Sequence, residues 1–169
     1  MEADLYEEIN GMIQLYLIRH SMTAGNLKKR YIGRTDESLC PEGIVLLESY
    51  IQKNIYPEVQ RVYVSPMKRC METAKLIFKE NFYEVEELRE CDFGIFENKN
   101  YKELSDCPEY QAWIDSGGTL AFPGGESREA FIARCVDGME LVMEQIRQQL
   151  AYRACPKCRE TEDNGMIQE

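Results

Sequence analysis

One short run limits the fold of this chain more than any other feature. Met12-Ile13-Gln14-Leu15-Tyr16-Leu17-Ile18 is almost wholly apolar and ends at Arg19-His20. An apolar stretch of this length without alternation reads as a strand buried on both faces, as in a parallel sheet covered by helices. Arg61-Val62-Tyr63-Val64 reads as a second strand, stopped by Ser65-Pro66, and residues 83–88 as a weaker third. Helical spacing lies between them. Pro41 opens a pattern with Ile44, Leu47, Tyr50 and Ile51 on one face. Proline suits the first helical position because the donor it lacks would be unpaired there. A second helix starts near Lys68, with Cys70, Ala74 and Ile77 on its apolar side. Residues 89–125 read mostly as loop, with a short helix around 110–114. After Pro123-Gly124-Gly125, Ser127 is a natural N-cap with Glu129 in the positive first turn. Phe131, Cys135, Met139, Val142, Ile146 and Leu150 then mark a long amphipathic helix. Strands alternating with helices predict an α/β domain, a three-layer sandwich around a mostly parallel central sheet.

The 169 residues suit one domain. We read residues 1–152 as that domain and residues 153–169 as a polar tail. No apolar run approaches the ~20 residues of a membrane span. The opening Met1-Glu2-Ala3-Asp4 lacks the basic start of a secretory signal. The seven cysteines are odd in number and mostly isolated, so they are expected as reduced thiols in a cytoplasmic protein. The net charge of −10 argues against nucleic acid and membrane surfaces as partners, since both are polyanions. Self-association is left open. The charge is unevenly spread. Residues 9–35 contain no acid but hold Arg19, Lys28, Lys29, Arg30 and Arg34, so this window carries +5 and the remainder −15. A cationic patch on an acidic body suits a small anion such as a phosphate ester, although a basic solvated loop would look the same.

His20 is the only histidine in the chain. It follows a predicted strand, and ligands of parallel sheets bind at the carboxyl ends of strands. Imidazole is neutral enough near pH 7 to attack an electrophile. A flanking guanidinium holds a phosphate through two parallel hydrogen bonds.

These residues carry a resemblance. LIRHSMTAGN, residues 17–26, resembles the signature of the histidine phosphatase superfamily, whose fold is phosphoglycerate-mutase-like. Four further segments match in order: GRTDESLCPEG from Gly33, VYVSPMKRCMETA from Val62, LRECDFGIFENKNY from Leu88 and FPGGES from Phe122. Several ordered motifs are far more specific than one. The resemblance implies that His20 attacks phosphorus to form a phosphohistidine. It implies that Arg19, Asn26 and Arg69 hold the phosphoryl oxygens, with Ser21 and Gly33 beside them. Glu90 would protonate the leaving oxygen and later activate water. No metal or other cofactor is implied, because guanidinium groups supply the positive charge. Glu84, Glu86, Glu87 and Asp92 crowd Glu90 in sequence, and like charges raise a carboxyl pKa where they are close in space. Within the superfamily, GRTD and FGIFENKNY sit closest to small phosphatases of the alpha-ribazole phosphatase type, so the expected substrate is alpha-ribazole 5'-phosphate or a similar small ester.

Three departures matter. Ser21 and Asn98 stand where the family commonly has glycine. The family also places a second catalytic histidine on a strand after the long helix, whereas this chain reads AYRACPKCRETEDNGMIQE there. The expectation is a C-terminally shortened chain with reduced activity. Losing one transition-state donor costs ~2.7–4 kcal/mol. Two alternatives follow: phosphoglycerate-mutase-type phosphoryl transfer, and a phospho-ligand binder without turnover. Cys155-Pro156-Lys157-Cys158 lacks the second pair of ligands that a closed zinc site needs, and reads as an exposed thiol pair.

Overall fold

The computed structural model describes residues 13–79 and 82–154. The chain divides into two compact units, Arg19–Met139 and a unit formed by Met1–Ile18 with Glu140–Glu169. In the larger unit the elements run α1 (Ala24–Leu27), α2 (Pro41–Gln52), β1 (Val62–Val64), α3 (Lys68–Phe78), β2 (Phe82–Glu84) and α4 (Pro108–Asp115). Short 3₁₀ turns cover Glu86–Leu88 and Gly94–Phe96, and the long helix α5 spans Arg128–Ala154.

The two strands pair in parallel, Val62 against Phe82 and Val64 against Glu84. Parallel neighbours need a crossover connection, and α3 supplies it. The ladder is extended by the Val85 N–H, which donates to the Val64 carbonyl at 2.9 Å. Pro41 occupies the first turn of α2, as its sequence predicts, and the Cys40 sulfur accepts the Gly43 N–H at 3.4 Å. Leu47 on the predicted apolar face of α2 is only 2% exposed. At α5, the Ser127 hydroxyl accepts the Ala130 N–H at 3.1 Å, which is the expected N-cap. The predicted face of α5 is partly or fully buried from Phe131 to Leu150, while Ile132, Val136 and Leu141 look outward.

The first strand expected from sequence does not form. Residues 13–18 carry no regular structure, and Leu15 and Leu17 are 53% and 84% exposed. A buried strand requires ladder partners on its flanks, and among the described residues the only sheet is the β1–β2 pair. The apolar run records a requirement for neighbours that the segment does not meet here. The third strand is also shorter than read, because the chain leaves the ladder after Glu84 and turns through Glu86–Leu88. The edge of the predicted tail is only partly visible: α5 continues to Ala154, and the CxxC lies outside the described residues. No described helix is long and apolar enough to cross a membrane.

Residues 89–125, read as loop, are organised by aromatic rings rather than by backbone ladders. Phe96 is fully buried. It packs edge-on to Tyr110, Trp113 and Phe122 at centroid distances of 5.3, 6.3 and 5.9 Å. Tyr31 joins from the cationic loop, with its ring 5.3 Å from Phe93 and its hydroxyl 3.0 Å from that of Tyr110. Burial and the Tyr110 hydroxyl hold the Tyr31 phenol well above its usual pKa. Edge-to-face pairs add ~0.5–1.5 kcal/mol each beyond the area they bury. Phe96→Ala should therefore destabilise the chain by about 3–5 kcal/mol, the usual range for deleting a buried Phe, as measured by urea unfolding.

Candidate active site

His20 is half-buried at the end of the exposed segment. Its Nδ1 lies 2.7 Å from the Ser21 carbonyl. A carbonyl only accepts, so Nδ1 carries the proton and Nε2 carries the lone pair. Burial lowers the His20 pKa below the ordinary 6.5, and the charges of Arg69 and Arg19 add to that lowering. The Ser21 carbonyl and the Glu90 charge act in the opposite direction. The imidazole is thus neutral at pH 7, and three sequence-predicted residues, Arg19, Arg69 and Glu90, are close enough for their charges to act on it.

An open cavity of about 550 Å³ lies beside His20. Its lining includes the polar residues Arg19, His20, Ser21, Asn26, Lys29 and Arg30 and the largely apolar Leu47, Tyr50 and Tyr56. Among the described residues no carboxylate lines it, in a chain of net charge −10. That is the expected field for an anionic ligand. Arg30 is part of an ion pair with Glu103 at 2.7 Å. Asn26 closes a reciprocal cap on α1: its Oδ1 accepts the Thr23 N–H at 3.1 Å, and its own N–H donates to the Thr23 hydroxyl at 3.2 Å. The bond to Oδ1 fixes the amide orientation and turns Nδ2, a donor, to the other side. The Ser21 hydroxyl donates to the Gly43 carbonyl at 2.7 Å, and the Ser21 N–H donates to the Thr73 hydroxyl at 3.0 Å. Serine in place of glycine therefore adds a tie to α2.

Arg69 is not a wall of that cavity. It is 1% exposed and sits on α3 against the loop that follows α1. Its Nη1 donates to the Thr35 carbonyl at 2.9 Å, and its Nη2 donates to the Gly33 carbonyl at 2.8 Å. The buried Nε has no hydrogen-bond partner in the protein. A buried donor left unpaired costs ~1–3 kcal/mol, so an anion that reaches it gains correspondingly. The carbonyls of Ile32 and Gly33, which Arg69 Nη2 reaches at 3.4 and 2.8 Å, face it because the N–H groups that oppose them, those of Gly33 and Arg34, are held from the other side. The Glu97 carboxylate accepts the N–H groups of Gly33, Arg34 and Thr35 at 2.9–3.3 Å, the Thr35 hydroxyl at 2.6 Å and the Phe93 N–H at 3.2 Å. Gly33 is required here, because a Cβ at this position would lie 1.9 Å from the Cys91 carbonyl oxygen. Its amide is committed to Glu97, so Gly33 supports the site by shaping the loop. Asn98, also in a glycine position of the family, adopts φ +58°, which asparagine tolerates better than most residues.

Glu90 is exposed, and its Oε1 accepts the Cys91 N–H at 2.9 Å. The acidic crowding read from sequence is partly paired off. Asp92 bonds Arg34 at 3.1 Å, and Glu86 bonds Arg89 at 3.1 Å. Two supporting residues were not legible beforehand. Glu97 is one of three acids inside a matched segment, and Arg134 is a polar break in an amphipathic helix. Only a contact map distinguishes either from an ordinary surface charge.

Two outcomes follow from this geometry. A histidine pKa lowered by folding favours the neutral form, so the contribution of His20 to stability is present above pH 6.5 and is lost as the pH falls through and below that value. Replacing His20 with Asn should remove this part of the acid destabilisation, read as a smaller drop in melting temperature between pH 7.5 and 5.5. Glu97→Gln leaves at most one good acceptor for five donors and should cost ~2–4 kcal/mol, given ~1–3 kcal/mol per unsatisfied buried donor. The same variant should weaken inorganic phosphate binding, measured by titration calorimetry, because the loop that holds Arg69 loses its anchor.

The histidine phosphatase superfamily (branch 1) profile matches residues 15–152. A broad-specificity phosphatase of Saccharomyces cerevisiae is 30% identical over 142 residues, which cover 78% of this chain and 58% of the yeast protein. The adenosylcobalamin/alpha-ribazole phosphatase of Salmonella typhimurium is 27% identical over 127 residues, covering 72% of this chain and 63% of that protein. The crystal structure of the alpha-ribazole phosphatase from Shigella flexneri superimposes with a TM-score of 0.67 at 25% identity, over 76% of this chain and 66% of that one. The chain thus spans roughly three fifths of the length of these curated relatives. The ordered motifs, the α/β topology and the match over most of the chain agree: the protein belongs to the histidine phosphatase superfamily.

Proposed function

We propose that this chain binds a small phosphomonoester and hydrolyses it through a phosphohistidine on His20. The observation that carries the reading is the imidazole itself. Its Nδ1 is bonded to the Ser21 carbonyl, its Nε2 is unprotonated, and burial together with the charges of Arg69 and Arg19 holds its pKa low. In the first step the Nε2 lone pair forms the P–N bond as the P–O bond to the alcohol breaks, and the protonated Glu90 carboxyl gives its proton to the leaving oxygen. In the second step the Glu90 carboxylate takes a proton from water, whose oxygen forms a P–O bond as P–N breaks, releasing inorganic phosphate. Arg19 and Asn26, which line the cavity, stabilise charge on the non-bridging oxygens, and the charge of the buried Arg69 adds to theirs.

Alpha-ribazole 5'-phosphate is the substrate we favour within this class. The names of the Salmonella and Shigella relatives support it. The cavity lining supports it too, since it combines the cations Arg19, Lys29 and Arg30 with Tyr50 and Tyr56, which suits an ester with a flat, weakly polar alcohol. One observation favours a second reading, a binder that captures the ester without turning it over. The cavity beside His20 is lined by cationic residues, and Glu90 is not among its lining residues.

Hydrolysis of phenyl phosphate in EDTA, with His20→Ala alongside, separates the two. Turnover that is lost in the variant is expected. Background rates from both proteins, with phosphate still raising the melting temperature of the wild type, would leave the binder. A higher kcat/KM for alpha-ribazole 5'-phosphate than for phosphoserine is the expected substrate order.

A further inference from the structure

We infer that Arg134 is a positioning residue for Glu90, holding the backbone of the general-acid segment so that its carboxyl meets the leaving oxygen. The inference rests on the assignment of Glu90 as the acid. Arg134 lies near the start of α5, and each of its five N–H donors has a partner. Its Nε and Nη2 grip Glu126 in a two-point ion pair at 3.0 and 2.7 Å. The remaining donors go to three carbonyls: Nη1 to Glu87 at 2.7 Å and to Arg89 at 3.0 Å, and Nη2 to Glu90 at 3.4 Å. Glu126 closes the clamp from the other side, because its own N–H donates to the Asp92 carbonyl at 2.9 Å. The segment 87–92 is therefore fastened immediately before, at and after Glu90.

This fastening replaces what regular structure would supply. Residues 89–93 belong to no helix or strand, and the exposed Glu90 carboxylate is bonded, among the described residues, only to its neighbour's N–H. A carboxyl on such a segment holds its place only if the backbone beneath it is fixed. The helix lies close enough to do this. One turn beyond Arg134 stands Gly138, where a Cβ would come within 2.8 Å of the Glu87 Cβ. The ion pair is little exposed, with side-chain exposures of 21% for Arg134 and 16% for Glu126. The fork geometry is specific to arginine, since lysine lacks the planar array that reaches a carboxylate and three carbonyls together. Arg134 does not line the cavity beside His20, so an effect on the acid is separable from an effect on phosphate binding.

The test compares esters that differ in their need for a general acid. 4-Nitrophenyl phosphate expels a leaving group that needs little protonation, whereas an alkyl phosphate depends on it. General acid catalysis is worth ~10²–10⁴-fold, so Arg134→Gln should lower kcat on the alkyl ester roughly 10–100-fold, with a much smaller loss on 4-nitrophenyl phosphate. KM and the affinity for inorganic phosphate should hold. Arg134→Lys, which keeps the charge, should show the same selective loss, and it serves if the glutamine variant does not fold. A second measurement needs no turnover: a carbon-13 titration of the Glu90 carboxyl, assigned with Glu90→Gln, should shift in the Arg134 variants. Equal losses on both esters with an unchanged titration would overturn the inference. A shifted titration in a protein with no turnover would sustain the positioning role and remove the phosphatase reading.

Discussion

The Glu97 carboxylate is the interaction on which the rest of the candidate site depends. It gathers three consecutive amides and a hydroxyl from one loop and a fourth amide from a turn. Because the amides of Gly33 and Arg34 point toward Glu97, the carbonyls opposite them, those of Ile32 and Gly33, are turned to receive Arg69. The guanidinium is thereby fixed with one donor unmatched, and its charge acts on His20. A single acid in an irregular turn thus aligns a buried cation that comes from a different element. Hydrogen bonds to an ionised acceptor are about twice as strong as neutral ones, which suits a carboxylate to organising a loop without secondary structure.

Much of this was legible in the sequence, for physical reasons that differ by element. The N-cap of α5, the proline start of α2 and the crossover helix α3 are dictated by residues within one or two turns, and they appear where the pattern puts them. His20, Arg69 and Glu90 were legible through ordered motifs. Their mutual influence was not, because it depends on how Arg69 is held. The aromatic cluster left no periodic trace: Tyr31, Phe93, Phe96, Tyr110, Trp113 and Phe122 sit at irregular intervals and converge only in three dimensions.

The first apolar run shows where pattern reading stops. Residues 13–18 have the composition of a central strand, but composition states a preference for burial and does not supply the neighbour that satisfies it. Leu15 and Leu17 remain exposed beside the catalytic candidate. His20 follows directly on a segment without ladder bonds, so its orientation rests on local ties: the Ser21 carbonyl on the ring, and the Thr73 and Gly43 contacts of Ser21.

The aromatic cluster reverses the usual distribution of rigidity. The strands are three residues each, while the irregular stretch around Phe96 combines a fully buried ring, stacked and edge-on neighbours and the Glu97 network. Local opening is governed by buried contacts and not by the name of the element. The amide hydrogens of Phe96 and its turn, which donate to carbonyls inside that cluster, are therefore placed to exchange with solvent later than those at the ends of the short sheet. The slowest-opening part of this α/β chain would be a loop.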